Sequence, residues 1–499
     1  MSSTSPTDPP AQSSRLRRWL VRTLFIVACL ATIIVALFIE EKIRGRAAWR
    51  AYETEAKARG VKLDFADYIP PKIPDAENFA SIPLFDAIFR ASEANEMIPD
   101  PFKLPEASAA PQPKFNDPSK QERIDLAAWQ KFFVESKLLL AAGDNAAADV
   151  LKALDSFAAP LGQIREAGER PHCAFPVHWE RAHNAALPHL AALLSASKLH
   201  ALRLSAHLAL GDSAAAYQDF HDGLRLTTAT TGEPSLVGGL VRIASVTALE
   251  NAVWGGLADR QWTEPELRKI EADLATLDWL RDYLFAMGSE RGGTNLLTGM
   301  LRDDPRQVGE VMQIMQMAAG SGPVHPAAWG YSLYPSGWLY QSQVRANQFF
   351  DELSARIDPD QRRYFGDRPI PSSAAHITSL PARIYFILFT AMSPTLESVE
   401  KRWVQTATTT DQTRIACALE RFRLTRQAFP QALSELTPDF LAPVPAEIVN
   451  GEPYRYHRTE GDSFVLHSVG PDLRDDGGII DPKKSAKDQA DWVWRYPAP

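Results

Sequence analysis

The sequence predicts a mainly α protein with a single N-terminal transmembrane helix, a large helical-hairpin region and a small C-terminal α+β module. Three observations predict it. Thr23–Ile39 is an apolar run without a charge, helical apolar spacing dominates from Gln121 to about Gln412, and strand-like alternation appears after Asn450. The expected organisation is a disordered tail over 1–22, an anchor over 23–44, and a stalk helix with a Pro-rich linker over 45–119. An all-helical domain over 120–410 and the α+β module over 411–499 complete it.

The anchor comes first. With Trp19 to Val21 added, the run TLFIVACLATIIVALFI approaches the ~20 residues that a helix needs to cross a hydrocarbon core. A helix satisfies its own backbone polar groups, which lipid cannot do. Arg15, Arg17, Arg18 and Arg22 precede the run, and mixed charge follows it, so the positive-inside rule predicts a cytoplasmic N-terminus. The bulk of the chain is then expected outside the cytoplasmic membrane, facing the periplasm or exterior. A cleaved signal peptide is the rival, but no small-x-small site follows Phe38-Ile39-Glu40. Ile26-Val27-Ala28-Cys29 has the look of a lipoprotein box, yet the apolar run continues for ten residues beyond Cys29.

The net charge of −8 is distributed unevenly: residues 1–22 carry four Arg and one Asp, which leaves −11 on the remainder. An acidic body argues against nucleic-acid binding, for which a basic face is the electrostatic footprint. With three cysteines (Cys29, Cys173 and Cys417) a disulfide framework is not expected; two separately buried thiols are the expected state beyond the anchor, with a lone Cys173–Cys417 bridge in an oxidising compartment as the alternative.

After the anchor, Arg46–Lys57 has helical spacing and Gly60 reads as its C-cap, so the membrane helix should continue as a stalk. Pro70, Pro71, Pro74 and Pro83 exclude a regular helix over 67–85, and six more prolines mark 99–118 as a linker or surface loop. Leu187–Leu210, closed by Gly211-Asp212 and followed by Ser213–Leu226, reads as a helix–turn–helix hairpin. The string ALRLSAHLALGDSAAAYQDFHDGLRL resembles one tetratricopeptide-type hairpin; a single copy supports hairpin packing, not a repeat array. Leu236–Leu257 is a further apolar helix, Thr263-Glu264-Pro265-Glu266 opens the next, and Ser336–Ile357 is another. Pro323–Pro335 reads as a turn-rich break, and IYFIL at 384–388 as a buried helix too short to span a membrane. Asp411–Gln427 is predicted as one amphipathic helix, Asn450-Gly451 as a turn, and Tyr454–Arg458 with Phe464–Val469 as a hairpin. Trp492–Tyr496 completes the pattern as a last strand.

Residues 414–478, with ALERFRLTRQAFPQALSEL, NGEPYRY, FVLHSVG and DDGG, resemble the C-terminal half of major pseudopilins of type II secretion. That resemblance implies a helix running into a small sheet and an Asp- and Gly-rich loop able to hold calcium. A pilin would join its stem helix directly to this module, whereas about 370 residues intervene here. The whole chain also resembles large uncharacterised membrane-anchored envelope proteins of planctomycete-type bacteria, on its RPHCAFP, GD-helix and SVGPD…DDGG strings; that family implies no activity.

Two groups of residues carry candidate chemistry. Asp472, Asp475 and Asp476, beside Gly477 and Gly478, offer hard oxygen ligands of the kind calcium takes, without the spacing of an EF-hand. Glu180-x-x-His183 places a Glu and a His one turn apart, as di-iron bundles do, within a segment where His172, His178, His183, His189, His200, His207 and His221 cluster. A plainer account makes these histidines exposed or capping residues of an Ala-rich bundle. Ser195-x-x-Lys198 lacks the companion elements of penicillin-binding enzymes. The aromatic string WGYSLYPSGWLY (329–340) is either a binding groove or core packing. The expectation is therefore a membrane-anchored scaffold or binding protein with a protein partner and no nucleic acid. The alternatives are a metal-dependent envelope hydrolase using 172–189, and an accessory component of a secretion or pilus-like system.

Overall fold

In the computed structural model, residues 12–105, 111, 122–304, 334–460, 462–480 and 490–496 are described. They are mainly helical, with two small antiparallel sheets, and divide into two compact units. One takes Met1–Val61, Leu297–Asn347 and Ala374–Met392; the other takes Lys62–Leu296, Gln348–Ser373 and Ser393–Pro499.

The first unit is built on α1 (Gln12–Ala58), one unbroken helix through the segments expected as anchor and stalk. It begins at Gln12, inside the expected tail, because once an apolar helix is nucleated each added residue costs little. It ends where Gly60 takes φ +76°, as the C-cap reading requires. Every large apolar side chain from Trp19 to Ile39 is at least 42% exposed. The hydroxyls of Thr23 and Thr32 donate to the carbonyls of Trp19 (3.0 Å) and Ala28 (2.9 Å), so neither needs water. Near residue 41 the helix becomes a packed element: a Cβ on Gly337 would lie 2.7 Å from the Glu41 carbonyl carbon. Glu41 itself is buried and accepts from Tyr385 and Arg44. Trp338 packs edge-on against Tyr334 and tilted against Tyr385, with centroids 5.3 Å apart in each pair. The described part of the aromatic string is thus packing; Trp329, Tyr331 and the 323–333 break lie outside the described residues.

The second unit holds the helical body. Helices α2 (Pro83–Glu93), α3 (Leu126–Glu135), α4 (Ala146–Leu154) and α5 (Ala158–Gly168) surround a core of Phe79, Phe85, Phe89, Phe133 and Phe157. Asp125 and Asn145 cap α3 and α4 by accepting from Ala128 and Ala148 N–H. The predicted hairpin is α6 (His189–Ala209) and α7 (Ser213–Thr228), turned at Gly211 and capped by Asp212. α8 (Leu236–Ala258) is apolar enough to span a membrane, yet 61% of its apolar window is buried, as in a core helix. α9 (Glu264–Leu274) and α10 (Trp279–Asp303) follow.

Two boundaries differ from expectation. α11 (Ser336–Ser354) stops short of Ile357, which instead opens a two-residue antiparallel hairpin, β1 (Ile357–Asp358) with β2 (Arg363–Tyr364). After the short α12 (Leu380–Tyr385), the helix predicted to start at Asp411 is the last part of α13 (Ile387–Arg426), 40 residues long. Asp411 has the composition of an N-cap but is a buried ion-pair residue, held by both oxygens at 3.0 Å from Arg362 Nη2. The C-terminal sheet is as the alternation predicts. β3 (Arg455–Thr459), β4 (Ser463–Ser468) and β5 (Trp492–Arg495) pair antiparallel in that order, with Arg455 opposite His467 and His467 opposite Val493. Phe429, Phe464, Leu466 and Trp494 fill one face of it.

Candidate functional site

Strand β4 carries His467 on the face opposite Phe464 and Leu466, where it is 3% exposed. Two glycines bring chain over that face. Gly470 has φ +66° and a Cβ there would meet the Ala490 carbonyl oxygen at 1.9 Å; Gly478 has φ +68° and a Cβ there would lie 2.9 Å from His467 Nδ1. Neither position admits a side chain in that backbone conformation. The loop between them delivers Asp475, whose Oδ1 sits 3.0 Å from His467 Nε2 and whose Oδ2 sits 3.3 Å from Arg455 Nε. The chain entering β5 delivers Asp491, wholly buried, with Oδ2 3.9 Å from the same Nε2. One ligand atom from each of these three residues lies within 4.8 Å of the others.

The electrostatics follow from burial. Hydrogen bonding by His467 holds the Asp475 carboxyl below its usual range. Burial pushes Asp491 up, against the N–H groups of Gly478 (2.7 Å) and Asp476 (3.1 Å) that donate to it. Glu447, fully buried behind the strand, accepts from Ser468 Oγ (3.2 Å) and Val469 N–H (3.3 Å) and is pushed by burial to about 7.

Of the three predicted calcium ligands, then, the structure brings only Asp475 into this cluster. Asp472 accepts from the Arg474 N–H at 3.1 Å within its own turn. Asp476 contributes its backbone N–H to Asp491, not a carboxylate. His467 and Asp491 were not singled out from the sequence; the alternation of β4 fixes which face His467 takes, but nothing local shows that the chain returns over it at 491.

The histidine-rich segment resolves into separate pairs. Glu180 and His183 fall in a 3-10 turn, Trp179–Asn184. Glu180 Oε1 lies 2.8 Å from His178 Nδ1, and the His183 side chain is outside the described ones. His189 meets Glu233 at 3.0 Å and stacks on Phe175 with centroids 3.9 Å apart. His221 meets Asp273 at 3.0 Å. Asp219, 2% exposed, takes His200 (2.9 Å), Arg203 (2.9 Å) and His207 (3.5 Å) between α6 and α7. His189, His200, His207 and His221 are thus each taken by a carboxylate, with Asp219 shared by His200 and His207. Cys173 and Cys417 are free thiols, both pushed up by burial.

Two further features lie in the helical body. A cleft of about 730 Å³ is walled by the Pro-rich segment, with Tyr68, Pro71, Lys72, Arg170, His172 and Phe285 among its lining. Arg170 does not face it free, since its Nη1 donates to the carbonyls of Asn78 and Ser81 at 2.8 Å each. Deep in the packing, Glu250 accepts from Thr410 Oγ1 at 2.7 Å, and burial pushes its carboxyl to about 8.

No protein-family model, curated protein or solved structure matches the chain.

Proposed function

We propose that the chain is a single-pass membrane-anchored binding protein of a bacterial envelope. In this reading α1 crosses the bilayer once with its N-terminus cytoplasmic, and the rest of the chain acts outside the cytoplasmic membrane as a scaffold for a protein partner. The observation that carries it is the exposed apolar window of α1, with mean hydropathy 2.6 and none of it buried. An apolar band this long, left in water, is an association or membrane surface. Its two threonine hydroxyls are already bonded to the helix, as a lipid environment demands. The Arg-rich approach at residues 15–22 supports the orientation. The Pro-walled cleft supports the binding role: Ile69–Pro74 present a rigid, half-apolar wall with few donors of their own.

Alkaline carbonate extraction of membranes from expressing cells tests the anchor. The full chain is expected in the membrane pellet. Replacing Ile33 and Ile34 together by Lys, at about 2.5–3.5 kcal/mol of insertion cost each, should move it to the soluble fraction. Extraction of the unaltered chain, or retention of the double variant, would overturn the anchor. A photo-crosslinking residue at Lys72 should give protein adducts that the same residue at Leu140, fully exposed elsewhere, does not; equal adducts at both positions would count against the cleft.

A further inference from the structure

We infer that His467, Asp475 and Asp491 form a binding site for a divalent ion of the zinc class, with one coordination position open to solvent. This goes beyond the anchored-scaffold reading and does not rest on it. It also differs from a calcium loop made of Asp472, Asp475 and Asp476.

The geometry comes first. Zinc binds imidazole nitrogen and carboxylate oxygen at about 2.0–2.2 Å, so tetrahedral ligand atoms stand roughly 3.3–3.5 Å apart. Here the Nε2–Oδ1 and Nε2–Oδ2 separations are 3.0 and 3.9 Å, on either side of that value, and all three atoms fall within 4.8 Å. Reaching that value takes a sub-ångström closure of His467 and Asp491 and a similar opening of the exposed Asp475.

The donor set selects the metal. Calcium takes six to eight oxygens, and this cluster offers two carboxylates and a nitrogen. A neutral imidazole with carboxylates suits zinc and its neighbours. The Asp491 carboxylate is fixed by two backbone N–H groups, as ligating carboxylates are in metal sites, and Gly478 packs against the imidazole, whose Nδ1 is buried without a hydrogen-bond partner.

Charge supplies an independent observation. Among the described residues Arg455 is the cation paired with Asp475 (3.3 Å) and Glu447 (4.0 Å), and with Glu447, Asp475 and Asp491 all ionised the formal balance is −2 when His467 is neutral. Glu447 and Asp491 are both buried, and Glu447 Oε1 has no hydrogen-bond partner, its nearest cation being Arg455 Nη1 at 4.0 Å. Buried charge of this kind is normally paired or bound to a metal. A divalent ion on His467 Nε2, Asp475 and Asp491 cancels the −2. Asp475, with its side chain 44% exposed, leaves the fourth position facing water. The ion would tie β4, the Asp- and Gly-rich loop and the start of β5 to one point.

The test uses the untagged full chain in detergent micelles, stripped with EDTA and dialysed, then titrated with zinc and separately with calcium. Bound metal is read by elemental analysis, and cobalt(II) is substituted for its visible ligand-field bands. One equivalent of zinc per chain, retained in excess calcium, and a tetrahedral cobalt spectrum are expected. Asp475→Asn, a surface substitution that spares the core, should weaken zinc at least about ten-fold and abolish the cobalt bands, while Asp472→Asn should leave both unchanged. His467→Ala should lose the ion as well. Absence of stoichiometric zinc, unaltered zinc and cobalt binding in Asp475→Asn, or displacement of zinc by calcium would each overturn the inference.

Discussion

Gly255 and Gly256 are neighbours in α8, and replacing each by Ala is expected to move stability in opposite directions. A Cβ at Gly255 meets nothing within 4 Å. Ala there restricts the unfolded chain and favours the helix, a gain of about 0.5–1 kcal/mol, towards the lower end in a last turn. A Cβ at Gly256 would lie 2.4 Å from Leu208 Cδ1 and 2.4 Å from Trp262 Nε1. Neither neighbour yields easily. Leu208 is 2% exposed in α6, and the Trp262 indole, 3% exposed, donates to the Val253 carbonyl at 3.1 Å. Overpacking costs about 1–3 kcal/mol. If the indole is displaced, a buried donor and acceptor lose each other, at about 1–3 kcal/mol more. Less the helix-propensity gain, Gly256→Ala should lose up to about 2.5 kcal/mol if the indole stays in place and about 1–5 kcal/mol if it is displaced. Urea titration of the full chain in micelles, followed by tryptophan fluorescence, reads the difference as midpoints. A midpoint for Gly256→Ala at or above that of the unaltered chain would refute the close packing of α6, α8 and the 262 turn.

Asp219→Ala removes the acceptor shared by His200, Arg203 and His207 and leaves a partly buried guanidinium without its partner; a loss of about 3–5 kcal/mol in the same titration is expected, and Asp219→Asn should lose less. Glu250 titrates near 8 in the folded protein because burial disfavours its charge, while in the unfolded chain it titrates near the ordinary 4.5. The folded state therefore holds that proton more tightly, and the stability this contributes is complete below about 4.5 and is lost as pH rises towards 8. Unfolding midpoints between those limits should fall with pH in the unaltered chain and fall less steeply in Glu250→Gln; identical slopes would contradict the assignment.

The parts of this fold that the sequence makes legible are those specified locally. α6, α7 and α8 lie within two residues of their expected bounds because Gly211, Asp212 and Ser235 act as turn and caps on their own neighbours. The β3–β4 hairpin is equally local, its register set by alternation around a short loop. Long-range partners are a different matter. Asp411 resembles a helix start until Arg362, 49 residues away, is seen to hold it. The histidines between 172 and 221 resemble a ligand set until Glu233 is found to take His189, Asp219 His200 and His207, and Asp273 His221. The acidic, Gly-rich loop contributes Asp475 to the C-terminal cluster, but His467 and Asp491 reach it only through strand pairing and two left-handed glycines. Spacing along the chain carries no trace of that closure.

In the proposed topology α1 crosses a bilayer once, with the body of the chain on the far side. Single cysteines at Ser5 and at the exposed Lys72, each in a chain with its native cysteines replaced by serine, can be labelled with a membrane-impermeant maleimide in sealed vesicles of known orientation. The prediction is that position 5 labels only from the cytoplasmic side and position 72 only from the opposite side. Labelling of both positions from the same side would contradict it.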